Sequence, residues 1–195
     1  MSIVRVGEPV VLPVTLADVK LNMGVIETVE DALITLAIGE ATRYAESYCG
    51  RSFITQTWRQ TLDCFPRVIR LERGPVQAIT ELRYLDMNGT QQVVANPGAP
   101  QWAIDLDADM ARLAPAFGYT WPNALPQIAA VRVTYRAGYG DAPANVPEGI
   151  RNWILGRVYA VFENREETAV VRGGGMLASL PHFDRMLDPY RVIEA

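Results

Sequence analysis

The feature that most constrains this chain is a double switch in the spacing of its apolar residues. Leu33, Ile34, Ala37, Ile38, Ala41, Tyr44, Ala45 and Tyr48 recur every three or four residues, the spacing of one helical face. From Phe53 to Leu62 the period drops to two in a run rich in Thr, Ile, Phe and Trp, which predicts a strand. Helical spacing returns after Pro147, where Ile150, Trp153, Ile154, Arg157, Val158, Val161 and Phe162 share a stripe. The predicted fold is α+β: a small helical bundle, with two N-terminal and one or two C-terminal helices, carrying an inserted antiparallel β domain. The expected division is residues 1–51 and 141–195 as the helical core with a C-terminal tail, and 52–140 as the β insertion.

Local signals sharpen the element ends. Thr15-Leu-Ala-Asp18 has capping-box spacing and predicts a short helix from Leu16 to Met23, stopped by Gly24. Glu27, Glu30 and Asp31 place negative charge at the start of the second helix, and Cys49-Gly50 ends it. Val68–Leu71, Ile79–Leu85, Gln91–Val94 and Ala129–Tyr135 read as further strands, with Trp102–Leu106 and Ala111–Leu113 as weaker ones. Five or six strands are expected in all. Asn88-Gly89 marks a hairpin and Gly138-Tyr-Gly140 a turn. Near the end, Gly173-Gly-Gly175 breaks the chain before a short segment from Phe183 to Leu187.

Composition removes several function classes. The net charge of -4 lacks the basic field of a dedicated nucleic-acid binder. Charge is unevenly spread: residues 51–140 carry nine basic and seven acidic side chains, against three and seven in residues 1–50 and six and eight in 141–195. Seventeen of the eighteen basic residues are arginine, a side chain suited to interface ion pairs. No apolar run reaches the ~20 residues of a membrane span, so no membrane is expected as a partner. Met1–Gly7 lacks the apolar core of a signal peptide, which predicts a product made and kept in the cytoplasm. Two cysteines, Cys49 and Cys64, make no disulfide framework.

Catalytic and metal motifs fail on their own spacing. One histidine (His182) and two distant cysteines give no zinc pattern, so no metal is expected. Asp105-Leu-Asp107-Ala-Asp109 opens like a calcium loop, but Met110 stands where the sharp turn needs glycine and Ala116 where the loop needs glutamate. The only lysine, Lys20, precedes Leu21, which excludes a Walker A loop, and Gly173-Gly-Gly175-Met-Leu-Ala178 lacks the βαβ unit of a dinucleotide site. No serine lies in a G-x-S-x-G elbow, and no nucleophile–base pair can be drawn. The expectation is a protein that is not an enzyme and uses no cofactor. Trp58, Trp102, Trp121, Tyr84, Tyr135 and Tyr139 leave one other reading, a β-domain binding module for nucleic acid or glycan, which needs these rings on one exposed face. Core packing is the competing use of the same rings.

The order of certain segments resembles the head-tail connector (adaptor) family of tailed phages and phage-derived gene transfer agents. The resemblance rests on Thr15-Leu-Ala-Asp-Val-Lys-Leu21, Glu30-Asp-Ala-Leu-Ile34, Ala45-Glu-Ser-Tyr-Cys-Gly-Arg51 and Phe53-Ile-Thr-Gln-Thr-Trp58. It continues through Gly74-Pro-Val-Gln77, Tyr84-Leu-Asp86, Val133-Thr-Tyr-Arg-Ala-Gly-Tyr-Gly140, Val146-Pro-Glu-Gly-Ile150, Phe162-Glu-Asn-Arg-Glu166 and Leu187-Asp-Pro-Tyr-Arg-Val192. Where the family's first helix goes on to a Leu-Arg pair, this chain has Leu21-Asn22 and so lacks a basic side chain there.

The resemblance implies a ring, twelvefold in such proteins, in the neck of a particle assembled in the bacterial cytoplasm. Its partners would be the portal protein, a neck or tail protein (stopper or tail terminator) and further copies of itself. DNA would pass through the channel without sequence-specific binding, as an acidic chain allows. The C-terminal segment is expected either to dock on the portal through Leu180, Phe183, Met186, Leu187, Tyr190 and Arg191, or to fold back on its own bundle. In the first case, deleting residues 176–195 is expected to abolish portal binding and leave the fold intact. A ring needs two different complementary faces on each subunit. Glu27, Glu30 and Asp31 against Arg59, Arg70, Arg73 and Arg83 are the expected pair.

Overall fold

A computed structural model describes residues 1–24, 26, 28–94, 101–167 and 184–192, side chains of 163–167 excepted. By internal contacts the chain divides into a β unit, Met1–Pro9 with Gly50–Tyr139, and a helical unit, Val10–Cys49 with Gly140–Ala195.

The β unit holds eight described strands: β1 (Ser2–Gly7), β2 (Gln56–Leu62), β3 (Ile69–Arg70), β4 (Val76–Leu85), β5 (Gln91–Val93), β6 (Trp102–Asp105), β7 (Arg112–Pro115) and β8 (Val131–Ala137). They form a five-stranded sheet in the order β1-β2-β8-β4-β5 and a three-stranded sheet in the order β3-β7-β6, every pairing antiparallel. Residues 2–7 depart from the sequence expectation, which groups them with the helices. They pair instead with β2, from Ser2↔Thr61 to Gly7↔Thr57. With this strand and with β6 and β7, the number exceeds the expected five or six.

Period-2 alternation decides which side of the large sheet is buried. Along β8, Val131, Val133, Tyr135 and Ala137 are buried, while Arg132 and Arg136 are exposed and Thr134 is half-buried. Ile69, Leu71 and Leu113 of the small sheet join Val76, Leu82, Val131, Val133 and Tyr135 in one core. Gly138 ends β8 at φ 142°, and a Cβ there would lie 2.6 Å from the backbone of Ile54 and Thr55, so only glycine fits. Asp86 shapes the Asn88-Gly89 hairpin by accepting from the backbone N–H groups of Asn88 and Thr90, both at 2.9 Å.

The helical unit contains α1 (Leu16–Met23), α2 (Asp31–Cys49), a 3-10 turn (Pro143–Asn145), α3 (Glu148–Glu167) and a C-terminal 3-10 turn (Arg185–Tyr190). At α1 the capping box is complete: the Asp18 N–H donates to Thr15 Oγ1 at 3.1 Å, and the Thr15 N–H donates to Asp18 Oδ2 at 3.0 Å. The Thr15 hydrogen bonds hold the Asp18 carboxyl below its ordinary value of 3.8. Gly50, at φ 67°, follows α2 in the left-handed conformation. Ile34, Ile38, Ala41 and Ala45 of α2 are buried, as are Ile150, Trp153, Ile154 and Val158 of α3. Leu33 of α2 and Val161 of α3, both placed on apolar stripes by spacing, are 42% and 50% exposed.

Candidate docking surfaces

The C-terminal segment is the first surface that the sequence singles out, and residues 184–192 lie against their own helical unit. Leu187 is fully buried. Around it, Tyr48 of α2 donates to Asp188 Oδ1 at 2.7 Å, Arg191 stacks over the Tyr48 ring at 5.5 Å, and the Val192 N–H donates to the Cys49 carbonyl at 2.9 Å. Tyr190 sits so close to α3 that a Cβ on Gly149 would lie 2.5 Å from its hydroxyl oxygen. The hydrogen bond to Asp188 and burial push the Tyr48 hydroxyl above its ordinary value; for Tyr44, beside Asp184, burial comes first. Residues 184–192 fold back on this unit. Leu187 and Tyr190 are therefore internal contacts of this unit. Met186 and Arg191 are exposed. Leu180, Phe183 and the Gly173–Gly175 break lie outside the described residues.

The second expected surface pairs acidic residues with arginines. Glu27 lies outside the described residues, and Glu30 is exposed just before α2. Asp31 is already engaged, accepting from Lys20 Nζ at 2.7 Å. The four arginines do not share a face. Arg59 and Arg83 stand on the outer side of the five-stranded sheet, where Arg83 pairs with Glu81 and reaches Gln91 Oε1 at 3.3 Å. Arg70 is exposed on β3 of the other sheet, and Arg73 lies over the Trp58 ring at 5.6 Å. Two arginines outside the expected set, Arg132 and Arg136, share the outer face with Arg59 and Arg83. Their signal is present in the alternation Val-Arg-Val-Thr-Tyr-Arg-Ala of residues 131–137.

The remaining polar chemistry is structural. The calcium-like carboxylates are divided between arginines: Asp105 takes Arg112 at 2.5 Å, which holds its carboxyl below the ordinary value, and Asp109 takes Arg51 at 2.6 Å. Among the described residues no group of His, Cys, Asp or Glu is arranged to hold a metal. No helix among them is long and apolar enough to cross a membrane. A groove of about 460 Å³ in the helical unit is lined in part by Asp18, Asn22, Glu148 and Arg151. The Asp18 carboxylate there is occupied by the helix cap.

The aromatic rings do not form an exposed platform. Tyr135 is buried, its hydroxyl donating to the Glu72 carbonyl at 2.7 Å. Trp58, Tyr84, Trp102 and Trp121 pack against the β core, with Phe65 stacked on Trp121 at 4.9 Å. These rings are taken up by core packing, whereas Phe117 and Tyr119 of the same unit stand exposed.

The described residues thus give a helical unit closed by its own C-terminal turn and a β unit with arginines on one sheet face. Residues 13–89 match the family model described as Phage gp6-like head-tail connector protein. Among solved structures, the chain is similar to one titled "Neck of empty GTA particle computed with C6 symmetry", with a TM-score of 0.78 at 19% identity, covering 100% of this chain and 97% of that one. It is also similar to chains in "Virion of native gene transfer agent (GTA) particle" and "Neck of native GTA particle computed with C12 symmetry", each with a TM-score of 0.76 at 20% identity and the same coverage. No curated protein sequence matches the chain.

Proposed function

We propose that this protein is a structural head-tail connector, a subunit of a ring in the neck of a tailed phage or gene transfer agent particle. The observation that carries this reading is the end-to-end likeness to chains of such particles, 100% of this chain on 97% of theirs, together with the connector match over residues 13–89. The ring has twelve copies, continues the DNA channel without reading sequence, and joins the portal protein to a stopper or tail terminator protein. It assembles in the bacterial cytoplasm. The protein catalyses no reaction, in keeping with carboxylates committed to caps and arginine pairs.

The portal contact uses the exposed edge of the C-terminal turn, Met186 and Arg191, while Leu187 and Tyr190 hold that edge in place. Replacing Met186→Glu is expected to abolish co-purification with the portal protein and leave the melting temperature unchanged. Undiminished co-purification overturns the contact. The connector reading itself predicts that quantitative mass spectrometry of purified particles finds this chain at the same copy number as the portal protein. Its absence from particles contradicts the reading.

A further inference from the structure

The outer face of the five-stranded sheet carries four arginines around half-buried threonines. Register places Arg59 opposite Thr134, Arg132 opposite Thr61, and Arg136 opposite Thr57, so Arg59 is flanked diagonally by the other two. Arg83 lies directly opposite Arg132. Like charges paired across strands are unfavourable unless an anionic group comes between them. Both line one depression of about 180 Å³, and Glu81, already paired with Arg83, is the acid of this face.

The face is not purely cationic. Val4, opposite Arg59, and Val93, opposite Arg83, are 50% and 56% exposed. Arginine mixed with apolar side chains is the composition of a protein interface, whereas a phosphate-tracking surface is cationic throughout. The β unit also carries only ten basic residues against eight acidic ones.

A matching surface exists on the helical unit, which carries eight basic residues against fourteen acidic ones. Val29, Leu33 and Leu36 are 87%, 42% and 63% exposed at and before the first turns of α2. Glu30 and Glu40, both exposed, flank them. One surface is arginine and valine, the other glutamate and leucine. They are two different faces of one chain, as a heterologous ring contact requires.

We propose that successive copies meet sheet to helix: the Arg59, Arg83, Arg132 and Arg136 face of one copy receives the Glu30 and Glu40 face of the next. This rests on the connector reading, which supplies the ring. It differs from the pairing expected from the amino-acid sequence: Glu27 lies outside the described residues, Asp31 is committed to Lys20, Arg70 and Arg73 lie off the sheet face, and Glu40, Arg132 and Arg136 enter.

The test uses charge exchange in a particle-producing strain that lacks the gene. One full-length variant carries Arg59→Glu and Arg132→Glu; the other carries Glu30→Arg and Glu40→Arg. All four positions are exposed, so wild-type melting temperatures are expected for both. Supplied alone, each is expected to lower the yield of tailed particles about tenfold or more, because like charges then face each other across every contact. Supplied together, they alternate around the ring with opposite charges at every contact, and the yield recovers. Normal particles from either variant alone overturn the proposal. So does failure of both alone and together, which assigns the arginines to another partner; fluorescence anisotropy with duplex DNA then identifies a nucleic-acid face. If the strain lacking the gene itself makes normal tailed particles, it is the connector reading that has failed.

Discussion

Three residues carry consequences that single substitutions expose. Leu187 is fully buried between helices while its neighbour Met186 is 44% exposed. Leu187→Ala is expected to lower stability by about 2–5 kcal/mol through a cavity that the helices cannot close. Met186→Ala is expected to stay within about 0.5 kcal/mol, and urea titration of the two variants separates them. Tyr135 is held by one hydrogen bond in the β core, and burial raises its hydroxyl well above the ordinary value of 10.0, so it stays protonated as a donor to Glu72. Tyr135→Phe leaves that carbonyl short of its donor and is expected to cost about 1–3 kcal/mol by the same titration. Asp18 works in the opposite sense. Its carboxyl is held below 3.8 in the folded chain, so its contribution is complete above the unfolded value and is lost as pH falls through the folded one. Acid titration followed by circular dichroism should therefore show a helical loss below about pH 4 that a Thr15→Val variant lacks.

At the scale of elements, what could be read from the sequence depended on how local its cause was. Thr15 and Asp18 are three residues apart, so the start of α1 was legible from letters alone and its bounds agree with the structure. Gly50 and the Asn88-Gly89 hairpin were legible for the same reason. The strand at residues 2–7 was not, because its partner β2 lies more than fifty residues away and its Val-Arg-Val pattern is too short to read alone. The C-terminal turn was ambiguous for a related reason. Its apolar residues suit a partner's groove as well as their own, and only tertiary packing places Leu187 inside and Tyr190 against Gly149. That last contact makes an element-scale prediction. Gly149→Ala pushes Tyr190 from its seat, so limited proteolysis should cut the C-terminal segment faster while the β unit stays protected. Unchanged cleavage would mean that the segment is held without Tyr190. For the candidate surfaces, Arg59 and Arg83 were legible as charges, but the grouping with Arg132 and Arg136 required the strand register.

For the whole molecule, the account rests on a division of labour between the two units. The helical unit closes on its own C-terminal turn and carries most of the negative charge. The β unit packs Trp58, Tyr84, Trp102, Trp121 and Tyr135 into or against its core and presents arginines on one sheet face. Charged side chains exposed on each unit are what the proposed connector reading assigns to contacts with other proteins. The most direct test is electron microscopy of particles from a strain lacking this gene. The account predicts DNA-filled or leaking heads beside separate, complete tails. Normal tailed particles at normal yield would contradict it.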